Sequence, residues 1–395
     1  MISVFVSRDN VIKSDSDIPI EKYMPFFGNP RFLGIDFGTA ALKVVELELV
    51  GEKPVLVNYG VADLSHLEEE LKNATYTYDE AVSLYLHALL EKLKAKTNKA
   101  YIAMPAYTGL ITLVEFPELS EAQMNEAVQF EAHKYVPTTS LEDVALSWEI
   151  IEKRKGSEGD VIMEVLLVAA LRKEVDRYQS YIQQESLEMS LLEIETFAIV
   201  RALLEKTPGS GAKILIDIGS RATNIILTND GSVKLSRNID TGGKDMTRTL
   251  ADTIEVARSR AEELKKSGKD FLNQRESAVV FPTLQVVITE TKRVIASHEE
   301  KHPESKVSEI ILSGGSSRLA GIVEYFSSIF GIPVGIGHPW SKIQATEKQQ
   351  AMIHDTDTSF AVAIGLALGG VENSLREKKN KRFFGGLDAM FQKKM

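Results

Sequence analysis

The sequence predicts an α/β fold built as two related lobes, and three observations carry that prediction. The phrase FLGIDFGTAALKVVELE near the start returns in altered form as ILIDIGSRATNIILTND at mid-chain. In each, a strand-forming run delivers an Asp and then a Gly into a tight turn (Asp36, Gly38; Asp217, Gly219), and a second strand-like run follows. Next, IILSGGSSRLAGIVEYFSSIFGIPVGIG reads as a strand, a Gly-Gly turn at Gly314 and Gly315, and a helix opening near Ser316. Finally, strands and helices alternate along a chain of 395 residues, too long for one core, with the two hairpins about half a chain apart.

An isolated Asp-x-Gly is usually a plain turn. Two copies in matching strand contexts suggest chemistry. A carboxylate at a strand end can hold a hydrated Mg²⁺, and a Gly-bearing hairpin lets backbone N–H groups approach phosphate oxygens. Two such hairpins facing each other would grip a nucleoside triphosphate from both sides. The Gly-Gly turn lets an adenosine moiety lie against bare backbone near a helix N-terminus.

Residues 1–30 read as an extension, with Pro19, Pro25 and Pro30 breaking regular elements. Strands follow around Phe32–Ile35, Leu42–Leu49 and Val55–Val61, then a helix over Tyr78–Leu93 and a strand in AYIAMP. From about residue 113 to 185 the pattern becomes a small inserted unit: an acidic helix, then strands near Val144–Glu152 and Val161–Leu171. The first lobe spans 31–211 and closes at TPGSGA; the second spans 212–371, with one crossing between them. There, GGKDMTRTLADTIEVARSRAEELKKSG reads as a Gly-Gly turn running into helix, residues 270–305 as further helices, and 309–370 as a return to the sheet.

A formal net charge of −10 argues against nucleic acid as a partner, because phosphate would be repelled over most of the surface. There are no cysteines, which excludes disulfides, thiol nucleophiles and Cys-ligated metals and fits a reducing cytoplasm. The start lacks a secretory pattern, and no run approaches the ~20 apolar residues of a membrane span. AVAIGLALGG comes nearest and reads as a buried helix. The seven His residues make no ligand pattern; His298 and His302 lie four apart in a charged run.

The order hairpin, hairpin, Gly-Gly turn resembles the actin-like ATPase superfamily over most of residues 31–371, implying two RNase H-like lobes. Within it, FPELSEAQMNEAVQFEAHKYVPTTSLEDVALSWEII, GIPVGIGHPW and DTSFAVAIGLALGG resemble the PilM family of cytoplasmic type IV pilus assembly proteins. That resemblance makes the insertion the subdomain called 1C. It implies ATP and Mg²⁺ as ligands and a scaffold with slow or no hydrolysis. The implied partner is the cytoplasmic N-terminal peptide of a PilN-type inner-membrane protein, bound between subdomains 1A and 1C, with pilus motor ATPases as further partners. Localisation would be cytoplasmic, peripheral at the inner face of the inner membrane, with homo-oligomers allowed.

The expected site follows the motifs. Asp36 and Asp217 would orient the metal through water. Gly38, Thr39 and Ala40 form the first phosphate loop; Lys43 either reaches back to the phosphates or is a solvated strand lysine. Gly219, Ser220, Arg221 and Thr223 form the second, where Arg221 either touches the terminal phosphate or is a surface arginine. Gly242 and Gly243 are expected beside the phosphates. Glu262 and Lys265, three apart on a helix, flank ribose and adenine or form an ordinary ion pair, and Gly314, Gly315 and Ser316 receive the adenosine. Asp217 and Glu195 are the candidates for orienting the attacking water, with one departure: family sequences carry Pro after this Glu, and here it is Thr196.

Within the tail, 372–395, the stretch REKKNKRFFGGLDAMFQKKM holds seven Lys and Arg against Glu377 and Asp388. Phe383, Phe384, Leu387, Met390 and Phe391 fall on one helical face, a pattern suited to a membrane surface or to a docking partner, although Gly385 and Gly386 each cost a helix about 1 kcal/mol. The tail favours a second reading, a membrane-tethering, filament-forming actin homologue like FtsA.

Overall fold

The computed structural model describes residues 28–134, 143–156, 159–274, 278–353 and 358–392, with side chains through Lys379. Most of the expected N-terminal extension, the Tyr135–Pro137 end of the family segment and the aromatic face of the tail lie outside the described residues or side chains.

In chain order the first-lobe strands are β1 (Arg31–Phe37), β2 (Ala41–Val50), β3 (Lys53–Asp63) and β4 (Lys99–Met104). Then come β5 (Gly109–Pro117), β6 (Val144–Lys155), β7 (Val161–Leu171) and β8 (Glu188–Ile194). The second lobe holds β9 (Ala212–Ile218), β10 (Thr223–Asn229), β11 (Ser232–Ile239), β12 (Val307–Ser313) and β13 (Val334–Ile336). Two five-stranded sheets result, ordered β3-β2-β1-β4-β8 and β11-β10-β9-β12-β13. They have one topology: an antiparallel hairpin leads, and two parallel strands extend the sheet on the far side of its first strand. The duplication read from the repeated phrase is therefore a duplication of whole sheets. Both leading strands are buried runs of β-branched and aromatic residues; Leu33, Ile35, Ile214 and Ile216 are completely covered.

The helices are α1 (Leu67–Glu70), α2 (Tyr78–Leu93), α3 (Glu121–Ala132), α4 (Arg172–Gln184), α5 (Glu195–Leu203), α6 (Gly243–Ile254), α7 (Arg258–Lys266), α8 (Pro282–Lys301), α9 (Ile322–Phe330), α10 (Glu347–Ile353) and α11 (Ala361–Gln392). Local chemistry sets several ends. Thr77 and Glu80 close a reciprocal capping box on α2, and Ser120 and Gln123 do the same on α3. The single helix expected after Gly243 is two, because Glu255 turns left-handed (φ 55°) and ends α6. Among the described residues of 270–305, α8 is the helix that forms.

Strands β5, β7 and β6 make a separate antiparallel sheet, covered by α3 around Met124, Val128 and Met163. This inserted unit runs from Gly109 to Leu171 rather than 113 to 185. Helix α4 belongs to the first lobe, since Tyr178 and Tyr181 pack on Phe37 with ring centroids 5.4 and 5.2 Å away.

The C-terminal part also departs from expectation. The sequence assigned residues up to 371 to the second lobe, but α11 lies on β1, β2, β4 and α5 of the first. Ile364 and Leu366 are completely buried there, each contributing about 1.5–3 kcal/mol. Small residues permit the approach: a Cβ on Gly34 would stand 2.1 Å from the Ala363 carbonyl oxygen, and one on Gly365 1.9 Å from that of Ala198. The chain thus crosses between lobes twice. Helix α11 continues without a break through Gly385 and Gly386 to Gln392, so the tail is no separate element.

Candidate functional site

The two Asp-bearing hairpins are the turns β1–β2 and β9–β10, each at the end of its lobe's central strand. In the first, Asp36 pairs in register with Lys43, and Lys43 Nζ donates to Asp36 Oδ2 at 3.1 Å. Lys43 is not a solvated strand lysine: its ammonium is largely buried on the carboxylate. In the second, Asp217 pairs in register with Asn224, and the Gly219 N–H donates to the Ala222 carbonyl at 3.0 Å, tightening the loop. Across the parallel β9–β12 ladder Asp217 lies opposite Ser313, whose buried hydroxyl sits beside the carboxylate.

The cleft between the hairpins gathers Asp36, Asp217, Glu195 and Lys43 within electrostatic reach of one another. Asp217 and Glu195 keep some solvent contact at the cleft floor, while nearly all else around them is protein. Burial pushes Asp217 up to about 6, helped by the charge of Asp36 and opposed by the Ser313 hydroxyl and Lys43. Burial pushes Glu195 up to about 8; the Ala106 N–H, 2.9 Å from its Oε1, pulls the other way. Glu195 therefore carries a proton at neutral pH.

Gly242 and Gly243 open α6 directly against the second hairpin. The Gly243 and Lys244 N–H groups donate to the Gly219 and Ser220 carbonyls, both at 2.9 Å, and the Gly242 N–H to Asp245 Oδ2 at 3.0 Å. A Cβ on Gly242 would stand 2.7 Å from two of those carbonyl oxygens. These glycines lock helix to hairpin, and their N–H groups are engaged within the protein. Thr223 likewise is fully buried and donates to the Thr241 carbonyl at 2.8 Å, holding this turn from behind.

Glu262, Lys265, Gly243 and Ser316 are brought together. A Cβ on Gly243 would meet the Ser316 hydroxyl at 2.3 Å and Lys265 Nζ at 3.5 Å. Lys265, 8% exposed, uses all three donors: on Glu262 at 2.6 Å, the Gly243 carbonyl at 2.9 Å and Thr247 Oγ1 at 2.7 Å. Burial holds its pKa below the usual lysine range despite Glu262. Burial alone would raise Glu262, but hydrogen bonds from Lys265 and Thr247 hold it low. Lys265 is thus a tie between α7 and the first turn of α6, while Glu262 keeps a solvent-facing side. Thr247, one helical turn beyond Gly243, was missed by the sequence reading; its place in GGKDMTRTL was the available signal.

Gly314 needs to be glycine twice over: its φ is +82°, and a Cβ would lie 2.5 Å from the Ile218 carbonyl oxygen. Gly315 opens one 3₁₀ turn to Arg318, and the expected helix begins only at Ile322. Nothing stands within 4 Å of a Cβ on Gly315.

Arg221 lies over the Tyr107 ring, 4.7 Å from its centroid, and reaches Asp240 at 3.4 Å. With Gly38, Thr39 and Lys244 it lines a cavity of about 480 Å³ walled by Tyr78, Tyr178 and Tyr181 among others. None of these tyrosines was singled out from sequence. Lys244 pairs with Glu68 at 2.8 Å, so the second lobe touches the first across this mouth.

The family model described as "Type IV pilus assembly protein PilM" matches residues 34–371. Among curated relatives, the cell division protein FtsA of Enterococcus hirae is 20% identical over 347 residues, covering 78% of each chain. FtsA of Neisseria meningitidis serogroup B is 22% identical over 296 residues, covering 67% of this chain and 70% of the relative. Among solved structures, a chain of the PilM–PilN type IV pilus biogenesis complex superimposes with a TM-score of 0.71 at 21% identity, covering 86% of this chain and 98% of that one. The fold is the actin-like ATPase fold, and the chain belongs to the PilM family of type IV pilus assembly proteins.

Proposed function

We propose that this protein is an ATP-binding scaffold of type IV pilus assembly. It would act in the cytoplasm at the inner face of the inner membrane and receive the N-terminal segment of a PilN-type protein. The observation that carries the nucleotide reading is the pair of register-matched Asp hairpins, Asp36 and Asp217, facing one cleft. The residues suit the ligand. Asp217 keeps some solvent contact at the cleft floor, and Gly315 leaves open space beside a glycine turn. Among the described residues no three carboxylates or imidazoles cluster for a metal. A Mg²⁺ would rest on Asp36, Asp217, water and the phosphates themselves, the usual arrangement for that ion. Gly38, Thr39, Ala40, Gly219, Ser220 and Arg221 would line the phosphates; Glu262 and Gly314–Ser316 would receive the nucleoside. Bound, the metal would neutralise phosphate charge. A protonated Glu195 favours slow turnover or none.

The support for the partner is the fold match to a chain solved as a PilM–PilN complex. In this reading the three-stranded insertion is subdomain 1C. An extended segment would be received between it and the first lobe, near Tyr107 at the root of β5 or along the outer edge of β6, which has no strand neighbour among the described residues. The test is calorimetric titration of a PilN N-terminal peptide into the purified protein, with and without Mg-ATP. Saturable binding that responds to nucleotide is expected; no heat in either state removes the scaffold reading. Phosphate release that vanishes in Asp217→Asn would instead make the protein an ATPase.

A second reading, an FtsA-like membrane tether, is favoured by the unbroken run of α11 into the basic tail. Liposome flotation of the full chain against one ending at Lys379 decides it: both staying soluble sinks the tether.

A further inference from the structure

Behind the cleft lies a closed polar set that nucleotide binding does not use. Asn224 Nδ2 donates to Thr196 Oγ1 at 2.9 Å, Ser236 Oγ donates to Asn224 Oδ1 at 2.8 Å, and the two hydroxyl oxygens are 3.1 Å apart. With the Ser236 proton on Asn224, Thr196 donates to Ser236, so the cycle runs one way round and every group both gives and accepts. Such a ring is cooperative and directional. Thr196 is fully buried and Asn224 2% exposed, where a broken hydrogen bond is costly.

The three corners sit on α5, β10 and β11, so the ring joins the lobes. Its position in the chain matters more. Thr196 directly follows Glu195, and Asn224 is the register partner of Asp217. The two carboxylates of the cleft floor are therefore each one step from a corner of the same ring. Close by, Lys234 on β11 pairs with Glu164 on β7, tying the inserted sheet to this zone. The contacts at the cleft mouth are of another kind: Lys244 and Glu68 are 40% and 77% exposed, and such pairs hold weakly.

We propose that Thr196, Asn224 and Ser236 are positioning residues that fix the separation of Glu195 from Asp217 and so set how far the two lobes close. Only the consequence for ligand binding rests on the nucleotide reading; the positioning itself does not.

Because the chain has no cysteine, a label pair can be placed cleanly. Thr75→Cys on the first lobe and Asp252→Cys on the second are exposed sites for spin labels, read by double electron–electron resonance. In the ligand-free full chain, Thr196→Val should broaden the inter-lobe distance distribution, and Thr196→Ser should restore it. Mg-ATP affinity should fall roughly tenfold in Thr196→Val and return in Thr196→Ser, the scale of one buried hydrogen bond. Ser236→Ala, at the partly exposed corner, should broaden the distribution as well and keeps the test open if Thr196→Val does not fold. A distribution unchanged in the folded variants overturns the proposal, as does a Thr196→Ser chain as broad as Thr196→Val. If the distances broaden but even the unsubstituted chain binds no Mg-ATP, the positioning stands and the nucleotide reading falls.

Discussion

The two hairpins share a register and differ at one residue. Opposite Asp36 stands Lys43; opposite Asp217, at the equivalent place, stands Asn224. In the first lobe the carboxylate is neutralised across the strand pair, at 3.1 Å and largely out of solvent. In the second, the residue opposite is uncharged and its amide is engaged with Thr196 and Ser236, and among the described residues Asp217 forms no ion pair. Burial then raises Asp217 to about 6. The duplicated hairpins thus differ in charge balance: one carboxylate is paired across its strands, and the other is faced by an uncharged amide.

The sharpest way to break that contrast is Lys43→Met, which leaves Asp36 buried and unpaired. Stability should fall by about 3 kcal/mol, the cost of halving a buried ion pair, and adding Asp36→Asn should regain most of it; urea denaturation of both checks this. A second approach is pH. With Asp217 raised to about 6 and Glu195 to about 8, the folded chain binds more protons than the unfolded chain between roughly pH 4 and 8. These groups therefore make stability fall as pH rises through that window. Melting curves at stepped pH should show the fall, Asp217→Asn should flatten its lower part, and Glu195→Gln its upper part. Third, Asn224→Ala should lose about 1–3 kcal/mol by leaving Thr196 and Ser236 short of partners, with no counterpart in the first hairpin. The smallest effect belongs to Arg221→Ala. Its side chain is 53% exposed, and stability should change by no more than about 0.5 kcal/mol; a larger loss in the same denaturation series would make the Tyr107 contact a true clasp between lobes.

What was legible in the sequence was what local chemistry fixes. Asp-x-Gly between strand-like runs gave both hairpins, and Gly314 declared itself because its backbone has no room for another residue. The helix over Tyr78–Leu93 was legible from its apolar spacing. The return of α11 to the first lobe was hidden. AVAIGLALGG reads as a buried helix, yet its small residues fit Gly34 and Ala198, more than 150 positions away, and nothing local names that address. Roles were less legible than places. Lys43, Lys265, Gly243 and Thr223 were found near the cleft, but whether a donor faces a ligand or another part of the protein depends on a neighbouring strand or helix. Asn224 and Ser236 gave no signal, being ordinary strand residues until the lobes meet.

The first strand and the buried start of the last helix lie in the same lobe, and this bears on how the chain is made. As the polypeptide leaves the ribosome, β1 and α5 emerge early, but the helix that covers them emerges only after the whole second lobe. Domains tend to fold as units once complete. Here the second lobe, continuous from Ala212 to about Ile336, can finish first. The N-terminal lobe would wait, with the face of β1 that carries Phe32 and Gly34 uncovered until residues 361–371 arrive.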